Sequence, residues 1–433
     1  MRIHVISRVL SLFFFVGICA HQESVHAQVE LPWLTPEYIN SYYYPLVAEF
    51  RGFPYEPSRP INVNVLTRDQ LQYYFDQCNA KAFKHKDYGD LWPIYQDLFS
   101  LWEIISPKDN FQTIFESFMK GEVFAFYDPD KKRLTIPNQF PSFENLKVAI
   151  DDTISHEVVH ALTYRHRKIQ FPDPSSDTNL AHQTLYEADA TLTSVLIAFG
   201  KTIEQIGIET IDTESKRVID LIKSRLPTPN SDIEKMLLRW FYFPYIHGLN
   251  FVRELLMNQR EASWAPLNAA YDNPPISTSQ ILHPLEYKKY LKENVKIQEI
   301  PEQAIQEFLP KKAKIKFSST LGEFFWLNLL MTKGFEEAEA QHEVEGWKQD
   351  RWWLISLKDG QSVFVSLTSW DSIGKAQAFS NIWNQTIKLS SPIPIQVYPS
   401  NQTVLLAISD QTLAPEVVTK LKKFSQHETL GTQ

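Results

Sequence analysis

The stretch IDDTISHEVVHALTYRH, Ile150 to His166, holds His156 and His160 on either side of Glu157, and a third histidine, His166, closes it. Around it, apolar residues recur with helical spacing at Leu146, Ile150, Ile154, Val158 and Leu162, which predicts a helix from Glu144 to His166. Four residues advance a helix by about 400°, so the two imidazoles stand about 40° apart, one turn above the other, and can reach one metal ion. Glu157 lies beside that face, where a carboxylate can take a proton from water, and the pattern His-Glu-x-x-His is the zinc site of metallopeptidases. Zinc is the expected cofactor.

A catalytic zinc takes three protein ligands, so a third is needed. His166 follows His160 by six residues, the spacing of metzincins, but Thr163 stands where those enzymes have a chain-reversing glycine. If the helix continues, six residues carry His166 round by about 240°, away from the metal face. The rival is YEADAT, predicted to lie on a second helix from about Leu180 to Phe199 that stops at Gly200. Glu187 comes 27 residues after His160, and an antiparallel helix can carry its carboxylate to the same ion, the gluzincin arrangement. Glu187 is the preferred ligand; Asp189, about 200° further round, is the next candidate, and it or a neighbour is expected to support a histidine ring.

Further out, EVFAFYDPDKKRLTIPN predicts two short strands, Val123–Tyr127 and Arg133–Ile136, joined at a turn through Asp128, Pro129 and Asp130. INVNVLTRDQLQYYFDQ reads as a strand and then a helix with Thr67 and Gln70 at capping-box spacing. Pro244 is expected to kink or break the helical run EKMLLRWFYFPYIHGLNFVRELLMN, whose aromatics, with His247 and His182, read as packing or surface. Past Pro301 the pattern changes to strands around an Asp-Gly turn, a helix, two more strands and a last helix. The expected fold class is α+β: a mainly helical zincin-like metallopeptidase domain over 28–305, with a small sheet before the histidine helix, and a C-terminal α+β module over 306–433.

At 433 residues, two domains are the natural expectation, and a net charge of −8 offers no basic surface for nucleic acid. The first 27 residues read as a signal peptide, with Arg2 and Arg8 before an apolar run and cleavage after Ala27. Export to the periplasm or exterior is expected, a lipid anchor at Cys19 being disfavoured by the bulky Ile18. Cleavage leaves Cys78 as the only thiol, so no internal disulfide is available, and no later run has the length of a membrane span.

Taken in order, HEVVHAL, YEADA, FPYIHGLNFV, YDNPPISTSQILHPLEY, LGEFFWLNLL and EGWKQDR resemble the segments of an exported gluzincin-like family of metallopeptidase type. The likeness covers roughly Glu122 to Phe379, with Ala188 in place of the family's usual glycine and Gln349 in place of the glycine before Asp350. The resemblance implies zinc-dependent hydrolysis of a peptide or protein substrate, with Glu157 as general base. In NPPISTSQILHPLEY, His283, with Tyr287 in reserve, is a candidate to steady the oxyanion formed at the scissile carbonyl. Two alternatives stay open: a zinc-holding periplasmic binding or assembly module without turnover, and a zinc hydrolase of cell-wall peptides.

Overall fold

The computed structural model describes residues 28–85, 87–119, 125–141, 146–169, 176–257, 262–293, 300–358, 360–387, 391 and 393–426. The expected signal segment, the Cys19 alternative, and the starts of the first predicted strand and of the histidine helix lie outside these residues.

The described part of the chain opens with the strand Gln28–Glu30, which pairs with Gln139–Pro141, and goes on to a helix, Tyr44–Arg51. Strand β1 (Asn62–Leu66) leads into a helix, Arg68–Ala82, whose capping box forms as expected: Gln70 N–H donates to Thr67 Oγ1 and Thr67 N–H to Gln70 Oε1. β2 (Phe126–Asp128) and β3 (Arg133–Pro137) are antiparallel, with Asp128 at the end of β2 accepting from the amides of Asp130 and Lys131 in the turn. β1 joins β3 in parallel, so β3 is central and β2 is an edge.

Helix α1 (Leu146–His166) lies over this sheet. Ile150, Ile154, Val158 and Leu162 are at most 1% exposed and pack with Leu134 and Ile136 of β3, with Val47 of the N-terminal helix and with Tyr43 just before it. Each such side chain contributes about 1.5–3 kcal/mol, so the predicted periodicity is what fixes the helix to the sheet. Helix α2 (Asp177–Phe199) starts at Ser176, whose hydroxyl accepts from the amide of Asn179, and stops at Gly200 with φ 63°. Its C-terminus matches the expectation; its N-terminus extends three residues earlier because Ser176 supplies the cap.

Helix α3 (Ile208–Arg225) precedes α4 (Asp232–Met257), which packs along α2. α4 continues through Pro244, so of the expected kink or break there is no break. Proline removes one hydrogen bond and costs about 3 kcal/mol, but Phe241, Phe243, Tyr245 and Leu249 are buried on both sides of it and outweigh that. Gly248 lets α4 approach: a Cβ there would lie 2.8 Å from Thr184 Cγ2 and 3.1 Å from Ala188 Cβ.

The C-terminal part forms a five-stranded antiparallel sheet from β4 (Lys314–Ser319), β5 (Trp347–Ser356), β6 (Ser362–Trp370), β7 (Ile395–Ser400) and β8 (Thr403–Ser409), in the order β7-β8-β6-β5-β4. Alternate residues divide its faces. Trp352, Phe364 and Val404 join the core of the helical part, while Trp353, Val363 and Leu405 pack beneath the last helix, Pro415–Ser425.

Between β4 and β5 run α5 (Glu323–Thr332) and α6 (Glu337–Val344). Asp177 accepts from the amide of Thr278, and Asp350 from the amides of Leu321 and Gly322 and the indoles of Trp326 and Trp347. The segments around Thr278, Gly322 and Asp350 thus meet at one buried knot. The molecule is a mixed α+β protein, mostly helical, with several small sheets. Among the described residues no helix is long and apolar enough to cross a membrane.

Candidate metal centre

His156, His160 and Glu187 converge inside the protein, at 1%, 1% and 0% exposure. The Oε2 of Glu187 lies 3.1 Å from His156 Nε2 and 3.4 Å from His160 Nε2, and one ligand atom from each of the three falls within 4.8 Å of the others. Two donors at about 2.1 Å from a tetrahedral metal stand about 3.4 Å apart, so these separations are those of a ligand set.

The local structure explains the convergence. α1 supplies both imidazoles from successive turns, with ring centroids 4.6 Å apart and nearly perpendicular. α2 packs against α1 and carries Glu187 on the facing side. Tyr186, the neighbouring residue, stacks on His160 with centroids 4.0 Å apart and holds that ring in place.

Burial pushes the His156 pKa down to about 4, the Glu187 hydrogen bond opposing, and the His160 pKa down to about 3. Both rings are therefore neutral at ordinary pH, the form in which imidazole binds a metal. Burial also raises the carboxyl of Glu187, and that of Glu157 well above the usual range, the charge of Glu187 adding to the second. A cation at the cluster favours the ionised form of both acids. His160 Nε2, Glu187 Oε1 and Glu157 Oε2 are buried and make no hydrogen bond in the structure. Three unsatisfied buried groups around one point, in a donor set of two imidazoles and a carboxylate, fit a metal ion.

Glu157 is 2% exposed and takes a hydrogen bond from the backbone of Tyr127 in β2. His166 lies apart from the cluster: α1 continues past Thr163, and the ring stacks on Phe53 with centroids 5.3 Å apart. Asp189 does not support a histidine ring by a hydrogen bond, as the sequence suggested. It faces the other way, bound to Arg51 and to the hydroxyl of Tyr271.

His283 is also placed differently from expectation. Its Nε2 lies 2.7 Å from Glu323 Oε1, and it lines a cleft to which no member of the metal cluster contributes. Tyr287 is buried, its hydroxyl donating to the Asn273 carbonyl. The group that does reach the cluster is Tyr245 of α4, whose ring centroid lies 6.4 Å from that of His156 and whose hydroxyl opposes the rise in the Glu187 pKa. It sits in an aromatic run that reads as packing, and no local pattern marks it out.

Comparison of the chain with protein-family models, with curated proteins and with solved structures finds no match.

Proposed function

We propose that the chain is an exported zinc-dependent metallopeptidase of gluzincin type, with His156, His160 and Glu187 as metal ligands and Glu157 as general base. The observation that carries this reading is the convergence of the three ligand side chains, with separations of 3.1 and 3.4 Å, beside a buried glutamate. Zinc suits two imidazoles and one carboxylate, and when bound it supplies Lewis acidity that polarises a carbonyl and lowers the pKa of water towards ~7.

The chain's own groups supply the rest. Glu157 takes the proton of the attacking water and returns it to the leaving amine. Tyr245, rather than His283, is the donor beside the cluster and steadies the developing oxyanion. β2, an edge of its sheet, offers main-chain groups along which an extended peptide can align. A peptide-library digest by the zinc-loaded chain tests the reading, with cleavage expected from the native chain and none from Glu157→Gln.

Burial favours a second reading. With all three ligands and Glu157 at 2% exposure or less, the centre has the closed character of a structural metal site. In that case the chain is a binding or assembly module held together by its metal. Stoichiometric zinc, a large loss of thermal stability on chelation and no cleavage of any library member would establish this alternative.

A further inference from the structure

A cleft of about 790 Å³ opens between α3, α4, α5 and α6. Its volume falls in the range of about 300–1,000 Å³ usual for small-molecule sites. His156, His160, Glu157 and Glu187 are absent from its lining.

Glu323, the first residue of α5, forms part of the wall with its side chain only 3% exposed. Its position at a helix N-terminus and its Oε1 contact with His283 account for one end of the carboxylate. Oε2 is buried and makes no hydrogen bond. The same contact occupies His283 Nε2 and leaves Nδ1 on a ring whose side chain is 40% exposed. Glu323 also raises the pKa of this histidine, so the ring carries positive charge over a wider range of pH.

Charge is divided between the walls. Lys216 and Lys223 come from α3, two turns apart; Glu337 comes from α6 and Glu345 from just beyond it. Lys216 is paired with Asp212 and Glu345 with Lys375. Among the described residues Lys223 and Glu337 make no ion pair, although Asp220 stands between the two lysines in the chain and tempers the basic wall. Ile246, Leu282 and Leu327 add an apolar surface.

We infer that this cleft binds a small zwitterion with an apolar body: a free amino acid or a dipeptide with both termini free. Its carboxylate meets Lys223 and His283, and its ammonium meets Glu337. A phosphate dianion would face the carboxylates of Glu323 and Glu337. A metal ion has no three-ligand set here, since among the described residues the one such grouping is His156, His160 and Glu187.

The test is calorimetric titration of the full chain carrying Glu157→Gln, so that a peptide probe survives, and it reads binding independently of any turnover. The probes are leucine, leucyl-leucine, and leucyl-leucine acetylated at its amine or amidated at its carboxylate. Saturable binding is expected for leucine or leucyl-leucine. Blocking either terminus, or introducing Lys223→Gln or Glu337→Gln, should weaken it about tenfold or more, as loss of one charge-assisted hydrogen bond implies. Both side chains are exposed, so these substitutions leave the fold intact. His156→Ala should leave binding unchanged. No saturable heat from either free probe at millimolar concentration overturns the inference. So does equal binding of blocked and free peptides, or binding lost in His156→Ala but retained in both cleft variants.

Discussion

Arg51 and Asp189, 138 positions apart, form a two-point ion pair with neither side chain exposed: Nε to Oδ1 at 2.5 Å and Nη2 to Oδ2 at 3.1 Å. The guanidinium also lies over the Trp264 ring, 4.3 Å from its centroid, and donates to Asn268. The pair ties the N-terminal helix to α2 two residues beyond Glu187, and so fixes the helix that brings this carboxylate to His156 and His160.

Removing one partner of such a pair leaves the other charge buried. Arg51→Met should therefore destabilise the chain by about 3–5 kcal/mol, and adding Asp189→Leu should restore much of the loss. Urea unfolding of the single and double variants checks this; equal midpoints for wild type and Arg51→Met would count against it.

The knot between the helical part and the C-terminal sheet makes a second prediction. Gly322 has φ 83°, and a Cβ there would lie 1.8 Å from Asp177 Oδ1. Gly322→Ala should cost at least about 1–3 kcal/mol from backbone strain alone, with the displacement of Asp177 in addition. Gly334, also at positive φ but in open space, is the control: Gly334→Ala should cost less in the same melting experiment.

How much of this was legible in the sequence depends on the range of the interaction. The histidine helix could be read because its apolar residues repeat every turn, and Glu187 because an antiparallel partner helix returns within a few tens of residues. The Arg51–Asp189 pair carries no such signal, since a partner 138 positions away leaves no local pattern. Tyr245 was hidden because phenylalanine and tyrosine look alike in a packed aromatic run. That α4 runs unbroken through Pro244 is not legible locally, because burial against α2 outweighs a local penalty. The cleft that His283 lines is not legible either: a polar residue in a proline-rich segment announces a rigid loop and does not say which cavity the loop faces.

Asp152 predicts a pH dependence. Burial pushes its carboxyl from 3.8 up to about 8, with the charge of Asp151 adding. The folded chain then holds a proton that the unfolded chain releases. Its contribution is complete below pH 3.8 and is lost as pH rises towards 8, at up to about 1.4 kcal/mol per pH unit. Asp152→Asn should remove that slope, making the variant the more stable of the two at pH 8. Parallel stability profiles for both chains between pH 5 and 8 would contradict this.

Glu157→Gln separates binding from chemistry. The amide keeps the shape and cannot accept the proton from water, so the variant should retain its metal and lose hydrolysis by about 100-fold or more. Undiminished cleavage would place the base elsewhere.

The most direct measurement is metal content, by elemental analysis of the purified chain after dialysis against limiting zinc. One zinc per chain is expected for wild type and for His166→Ala, and its loss in His156→Ala and His160→Ala. Glu187→Ala should weaken affinity by at least the 10- to 100-fold seen when outer partners of a zinc site are removed. Wild-type zinc content in His156→Ala and Glu187→Ala, or its loss in His166→Ala alone, would contradict the three-ligand centre.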